Sequence, residues 1–284
     1  MGIRVNTNVG SLNAQRHLYN TTMKFQKSME RLSSGMRINR SGDDAAGLAI
    51  SESLKSDIRA LQQASRNAAD GISLVQVAEG SLDEVNNILL RLRELAEQSA
   101  TETLGENERE YLNDEFQELL QEIDRIGTTA EFNGIMLLDG TANTLDVQVG
   151  IGTVANTSTV PIDLTQIISA SDLGLVSGGG GSLTITGTNG DTARVAIGLV
   201  EAATGTVSEV RAGFGAAQNR LETSIRNIGM TAENLSAANS RIRDVDVALE
   251  TSNMTSLQIL QQAGVSILSQ SNMTSQLALN LMGG

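Results

Sequence analysis

Residues 207–242, VSEVRAGFGAAQNRLETSIRNIGMTAENLSAANSRI, decide the fold class. Within them Val207, Val210, Phe214, Ala217, Leu221, Ser224, Ile228, Thr231, Leu235, Ala238 and Ile242 recur at alternating spacings of three and four residues. That period gathers them on one stripe of an α-helix, as in a coiled-coil seam. Far upstream, Leu54, Ile58, Leu61, Ser65, Ala68, Ile72 and Val75 keep the same alternation. The phase slips there by a three-residue insertion and resumes as Val75, Ala78, Leu82, Val85, Leu89, Leu92 and Ala96, which is a stammer. A third run reads Leu112, Phe116, Leu119, Ile123 and Ile126. Three long amphipathic helices drawn from both halves of the chain predict a mainly α protein, a long coiled-coil-like bundle.

Composition agrees. The chain is 40% hydrophobic but only 2% aromatic, with no Trp. An elongated bundle filled with Leu, Ile, Val and Ala has no need of aromatic bulk. The only proline is Pro161, so long stretches are free to be unbroken helix.

Between the helical halves the period changes from 3.5 to 2. Leu145, Val147, Val149 and Ile151 alternate with polar residues, as do Val160, Ile162 and Leu164, which predicts two strands. After the glycine run 178–181, Leu183 and Ile185 face Ala193, Val195 and Ile197 across Asn189-Gly190. Asn-Gly between apolar alternations predicts a further hairpin with a type I′ turn. The expected organisation is an N-terminal arm at 1–43, a helical half at 44–140 and a small β-hairpin-rich insertion at 141–198. A further helix at 199–242 and a C-terminal arm at 243–284 follow, with the terminal helices pairing as an inner core domain.

The two arms carry too much apolar surface for one partner helix. Val5, Val9, Leu12, Tyr19 and Met23 are followed by Phe25, Met29, Leu32 and Met36 in the first. The second has Leu249, Leu257, Leu260, Ile267 and Leu281 on one seam, with Met254, Val265, Leu268, Leu279 and Met282 beside it. A fully buried side chain of this size contributes roughly 1.5–3 kcal/mol. Ordering the backbone costs about 1–2 kcal/mol per residue, so an isolated pair of arms, only partly buried, does not offset its ordering. Burial by other copies would, and the arms are therefore expected to be mobile alone and to fold on self-assembly. The assembly candidates are Val5, Val9, Leu12, Leu257, Leu260, Ile267, Leu268 and Leu281. The alternative is two ordinary helices docked on the body of the same molecule.

Charge narrows the partners. A net charge of -13 argues against nucleic acid. Residues 1–40 nevertheless hold seven Lys or Arg against Glu30 alone, while 245–284 hold only Asp246 and Glu250. The basic charges of the first arm are spread along the helix, not gathered opposite an aromatic face, which disfavours a membrane-surface helix. No apolar run is long enough to span a bilayer, so no membrane insertion is expected.

Catalytic chemistry is not expected. There is no Cys and His17 is alone, leaving no nucleophile–base pair and no zinc ligand set. Asp43-Asp44 are expected to start the helix entered at Ala45, where carboxylates favour the positive end of the dipole. The glycines at 178–181 lack the Gly-Lys-Ser/Thr of a phosphate loop. No cofactor or metal is expected.

The ordered motifs resemble bacterial flagellin. They are Ile3-Arg4-Val5-Asn6-Thr7-Asn8, Leu12-Asn13-Ala14-Gln15, Arg31-Leu32-Ser33-Ser34-Gly35-Met36-Arg37-Ile38-Asn39 and Asp43-Asp44-Ala45-Ala46-Gly47-Leu48-Ala49-Ile50. Later come Arg211-Ala212-Gly213-Phe214-Gly215-Ala216-Ala217-Gln218-Asn219-Arg220-Leu221 and Gln261-Gln262-Ala263-Gly264. The resemblance implies a non-enzymatic subunit, exported unfolded through the flagellar type III apparatus, that polymerises under a cap protein into a hollow helical filament used for swimming. It implies flagellar cap and junction proteins and an export chaperone as partners, and a secreted, extracellular filament. Polar links near 33–50 and 241–247 look like connectors between an inner and an outer shell. The central insertion is short, so the large outer domains of longer flagellins are absent. A hook–filament junction protein is the alternative. By the same resemblance, Arg91, Leu95 and Gln98, with Glu115, match the segment recognised by animal Toll-like receptor 5. There a partner would pair with the charge and cover the Leu, unless neighbouring subunits occupy that face in a filament.

Overall fold

A computed structural model describes residues 7–152, 157–175, 183–187 and 190–282, with side chains described through Thr274 at the end of the chain. Val5, the side chain of Leu281, the glycines at 178–181 and Asn189 lie outside the described residues. The helices are α1 Val9–Ser34, α2 Ala45–Ser99, α3 Glu106–Thr129, α4 Asp191–Arg243 and α5 Val247–Met282. The strands β1 Glu131–Phe132 and β2 Ile135–Met136 form one antiparallel pair, and β3 Leu145–Gln148 and β4 Thr159–Ile162 another. The chain divides into two compact units, Met1–Ser56 with Glu233–Gly284, and Asp57–Ala232.

The unit Asp57–Ala232 is built on the predicted seams. On α2, Leu61, Ala68, Val75, Ala78, Leu82, Val85, Leu89, Leu92 and Ala96 are all buried. At the expected slip of phase Leu74 is buried beside Val75, because one extra position is needed to carry the stripe across the insertion. On α3 the fully covered apolar residues are Phe116, Leu120 and Ile123, so Leu120 joins the predicted run while Leu112, Leu119 and Ile126 are half-buried beside it. On α4 it runs Ala193, Ala196, Val200, Ala203, Val207, Val210, Phe214, Ala217 and Leu221. These join one cluster with Val147, Val160, Ile162 and Leu164 from the small β region.

The β3–β4 pair confirms the two predicted strands, in the register Leu145↔Ile162 to Gln148↔Thr159. The hairpin predicted across Asn189-Gly190 does not exist. Residues 191–243 are helix, and Val195 lies on its exposed face. Ala193, Ala196, Val200 and Ala203 extend the three–four repeat that begins at Val207, and this longer period wins over three alternating positions. The segment 183–187 pairs with no strand. Leu183 N donates to Leu175 O at 3.3 Å, and the rest of the segment's described bonding is to side chains: Gln117 Nε2 donates to Leu183 O at 2.6 Å, Ser99 Oγ to Ile185 O at 2.6 Å, and Ile185 N to Asn113 Oδ1 at 3.1 Å. The Asn-Gly turn is found elsewhere, between β1 and β2, where Asn133 and Gly134 have φ of 51° and 79°. Both central residues of a type I′ turn need positive φ, which Asn and Gly tolerate best.

One buried charge has no counterpart in the sequence patterns. Arg109, in the first turns of α3, is 2% exposed and its guanidinium donates to three carbonyls. Nε reaches Ser99 O at 3.0 Å, Nη2 reaches Thr101 O at 3.1 Å and Nη1 reaches Gly187 O at 2.6 Å. It thereby serves carbonyls at and just past the end of α2, where unsatisfied acceptors and the negative end of the dipole coincide, and ties them to the 183–187 segment.

Candidate assembly face and partner surface

The unit Met1–Ser56 with Glu233–Gly284 is organised by α1 and α5. Helix α1 starts at Asn8, whose Oδ1 accepts from Ser11 N at 3.0 Å, and stops at Gly35 in the left-handed region at φ 71°. Helix α5 starts at Asp246, whose Oδ1 accepts from Ala248 N at 3.0 Å and Leu249 N at 3.1 Å.

The two helices pack antiparallel. Asn8 Nδ2 donates to Ser271 O at 2.9 Å and Ser11 Oγ to Asn272 Oδ1 at 2.9 Å. Further along, Gln261 Nε2 donates to Thr22 Oγ1 at 3.3 Å and Ser28 Oγ to Glu250 O at 3.4 Å. Arg31 pairs with Glu250 at 3.7 Å. Small residues bring the backbones close: a Cβ on Gly264 would stand 3.2 Å from Leu18 Cδ1. The fully buried positions of α1 are Ser11 and Ser28, both polar. The helices therefore meet through a narrow, small-residue and hydroxyl-bearing seam, with Leu257 and Leu268 half-buried on the α5 side.

What this seam leaves out is the large apolar surface. Val9, Leu12, Tyr19 and Met23 are exposed on α1. Their spacings of three, seven and four put them on one helical stripe. On α5, Leu249, Leu260 and Ile267 are exposed, and their spacings of eleven and seven form a second stripe. Val9, Leu12, Leu260 and Ile267 keep between 57% and 60% of their surface open. Among the described residues of this unit, Ile38 alone is a buried hydrophobic side chain. Of the assembly candidates, then, Val9, Leu12, Leu260 and Ile267 are open, and Leu257 and Leu268 are shared between the seam and the outside.

The links between helices are built from backbone pairing and arginine. Met36 and Asp244 form an isolated antiparallel bridge, with Arg37 N donating to Arg243 O at 2.6 Å and Val245 N to Gly35 O at 3.0 Å. Arg243 Nη1 meets Glu52 Oε1 at 2.5 Å. The adjacent acids divide their work. Asp44 accepts from Gly47 N at 2.9 Å and caps α2, as expected. Asp43 instead pairs with Lys27 Nζ at 2.6 Å and accepts from Asn39 N and Arg40 N, each at 3.2 Å. Lys27 first, then the Arg40 amide, hold its carboxyl down to about 2.

In the other unit, Arg91, Gln98 and Glu115 stand exposed on α2 and α3. Arg91 Nη2 and Nε meet Glu115 Oε1 at 2.7 and 2.9 Å, and Nη1 meets Glu94 Oε2 at 3.0 Å. Glu115 first, then Glu94, raise the guanidinium above its ordinary range. Leu95 has no exposed surface. It belongs to the unit's own core beside Leu92 and Ala96, so the expectation that a partner covers it is corrected: its own helices already do. Among the described residues no group of three His, Cys, Asp or Glu is placed to hold a metal ion, and no helix is long and apolar enough to cross a membrane.

Comparison with known proteins gives a consistent assignment. The bacterial flagellin N-terminal helical region matches residues 5–143, and the bacterial flagellin C-terminal helical region matches 197–282. A flagellin of Halalkalibacterium halodurans is 48% identical over 98% of this chain and 99% of its own length. A flagellar filament 33 kDa core protein of Treponema phagedenis is 42% identical, with 98% and 99% covered. A solved structure from Vibrio parahaemolyticus, assigned to the flagellar hook-associated proteins, shares the fold at a TM-score of 0.58 and 15% identity, covering 71% of this chain and 100% of that one. With both terminal regions matched and relatives aligned over nearly its full length, the chain belongs to the bacterial flagellins and is a structural subunit of the flagellar filament.

Proposed function

We propose that this subunit polymerises through the open stripes of α1 and α5, which other copies cover to form the innermost layer of the filament. The observation that carries the reading is the contrast within one unit: seven or more large apolar side chains stand open where, among the described residues, Ile38 alone of the apolar side chains is buried. Monomeric proteins rarely leave contiguous apolar surface of this kind uncovered, and a helical filament covers it on several sides at once. Residues 1–43 and 243–284 would make this inner domain, and 44–242 the shell outside it. An identity of 48% to a flagellin over nearly the full length of both chains supports a filament subunit over a hook–filament junction adaptor. Export in an unfolded state, a chaperone and a cap protein fit arms whose large apolar surface is covered only on assembly.

Replacing Leu260 and Ile267 together by Asp tests the reading. The monomer should keep its helical content, while elongation of filament seeds, followed by electron microscopy, should stop. Normal elongation would exclude these stripes as the contact.

Recognition of the monomer by Toll-like receptor 5 would use Arg91, Gln98 and Glu115, with Leu95 supporting the helix from beneath. The receptor must then engage an arginine already paired with Glu115. Arg91→Asp should abolish signalling by the monomer, and undiminished signalling would remove this assignment.

A further inference from the structure

Seven of the nine methionines lie in the unit Met1–Ser56 with Glu233–Gly284, which is under two-fifths of the chain. The other unit has only Met136, half-buried, and Met230, which is 61% exposed on α4. Of the five whose side chains are described, Met23, Met29 and Met273 are open to solvent, at 50%, 50% and 52% exposed, and Met36 and Met254 are half-buried. Met23 completes the stripe of Val9, Leu12 and Tyr19. Met36 differs, being half-buried with its sulfur against Arg243 Nε at 3.1 Å.

A flexible, polarisable thioether suits a surface that must fit several neighbours. It is also the one apolar side chain that a mild oxidant turns polar. We infer that Met23, Met29 and Met273 are oxidation sites through which peroxides disable the unassembled subunit. The thioether sulfur attacks one oxygen of hydrogen peroxide and the O–O bond breaks. A sulfoxide forms and water leaves, so the sulfur is oxidised by two electrons and the peroxide reduced. A sulfoxide pressed into an apolar contact loses its hydration without gaining a partner, which weakens association by about tenfold per buried group. Assembly closes the window, because covered thioethers no longer meet the oxidant. This inference rests on the proposed covering of α1 and α5 by other copies, with Met23 on the open stripe and Met29 and Met273 on other faces of the same two helices.

The test treats the full-length chain with dilute hydrogen peroxide, once as monomer and once as filament. Peptide mass spectrometry reads each methionine, and seeded elongation reads competence. The three sites should oxidise in the monomer and be spared in the filament. Oxidised monomer should elongate seeds about tenfold more slowly or worse, and methionine sulfoxide reductases should restore it. The near-isosteric variant M23L/M29L/M273L should elongate equally before and after treatment. Oxidised wild type that elongates normally, although its sites are spared in the filament, overturns this inference alone. So does loss that the reductases do not repair, or equal loss in the triple variant. Equal oxidation of Met23 in monomer and filament overturns the assembly reading of its stripe, and this inference with it.

Discussion

Leu89 on α2 and Leu260 on α5 are the same side chain on the same kind of helix, yet Leu89 has no exposed surface and Leu260 keeps 57% of its own. The difference is systematic. In the unit Asp57–Ala232, α2, α3, α4 and the β3–β4 pair supply apolar residues to one another's seams, and the pattern closes. In the other unit α1 and α5 spend their mutual contact on Ser11, Thr22, Ser28, Gly264 and Gln261, and turn much of their large apolar surface outward. The first unit is specified within the chain. In the second the hydrophobic pattern finds no counterpart among the described residues, which is what the proposed assembly would supply.

Paired truncations break or sharpen this contrast. Leu89→Ala should destabilise the monomer by about 2–5 kcal/mol, because it leaves a cavity in a closed core. Leu260→Ala should change monomer stability by less than about 0.5 kcal/mol and instead raise the concentration needed for polymerisation. Chemical denaturation of both variants, set beside their assembly curves, checks the pair. A large monomer effect from Leu260→Ala would mean that the arm is already packed.

Arg109→Met comes next. It strands the carbonyls of Ser99, Thr101 and Gly187 in a buried place, at a cost of about 2–3 kcal/mol. The same denaturation experiment reads it, and the loss should fall in the well-packed unit.

The smallest effect belongs to Asp43. Its carboxyl sits at about 2 in the folded chain against an ordinary 3.8, so its stabilisation is complete above the ordinary value and disappears as pH falls towards about 2. Asp43→Asn should therefore weaken the α1–α2 link at neutral pH, and the gap between wild type and variant should close on acidification. Thermal unfolding of both proteins along a pH series reads it, and a gap independent of pH would contradict the assignment of Lys27 and the Asn39 and Arg40 amides as its source.

Much of the fold is legible from spacing. The seams on α2 and on α4 from Val207 follow position by position, because only a helix keeps a three–four repeat on one face over many turns. The N-cap by Asp44 and the two strands around Val147 and Val160 follow from local chemistry. The features that spacing misses are those in which a short pattern competes with a long one. Ala193, Val195 and Ile197 alternate like a strand, but Ala193, Ala196, Val200 and Ala203 already continue the helix, and a seam made mostly of alanine gives a faint hydrophobic signal. Two Asn-Gly pairs look alike, and only the one at 133–134 carries the β1–β2 turn. Arg109 gives no signal because its partners are backbone carbonyls brought together by tertiary structure. Leu95 lies next to the three–four repeat in sequence but within the seam in space. For the arms, the stripe is readable but its occupant is not, since that surface is covered by no part of the described chain.

Hydrogen exchange of the backbone amides in monomer and in filament tests the central claim most directly. In the monomer, α1 and α5 should exchange far faster than the helices of Asp57–Ala232, and in the filament the two sets should become comparably protected. Arms as protected in the monomer as the closed unit, or arms that gain no protection in the filament, would contradict it.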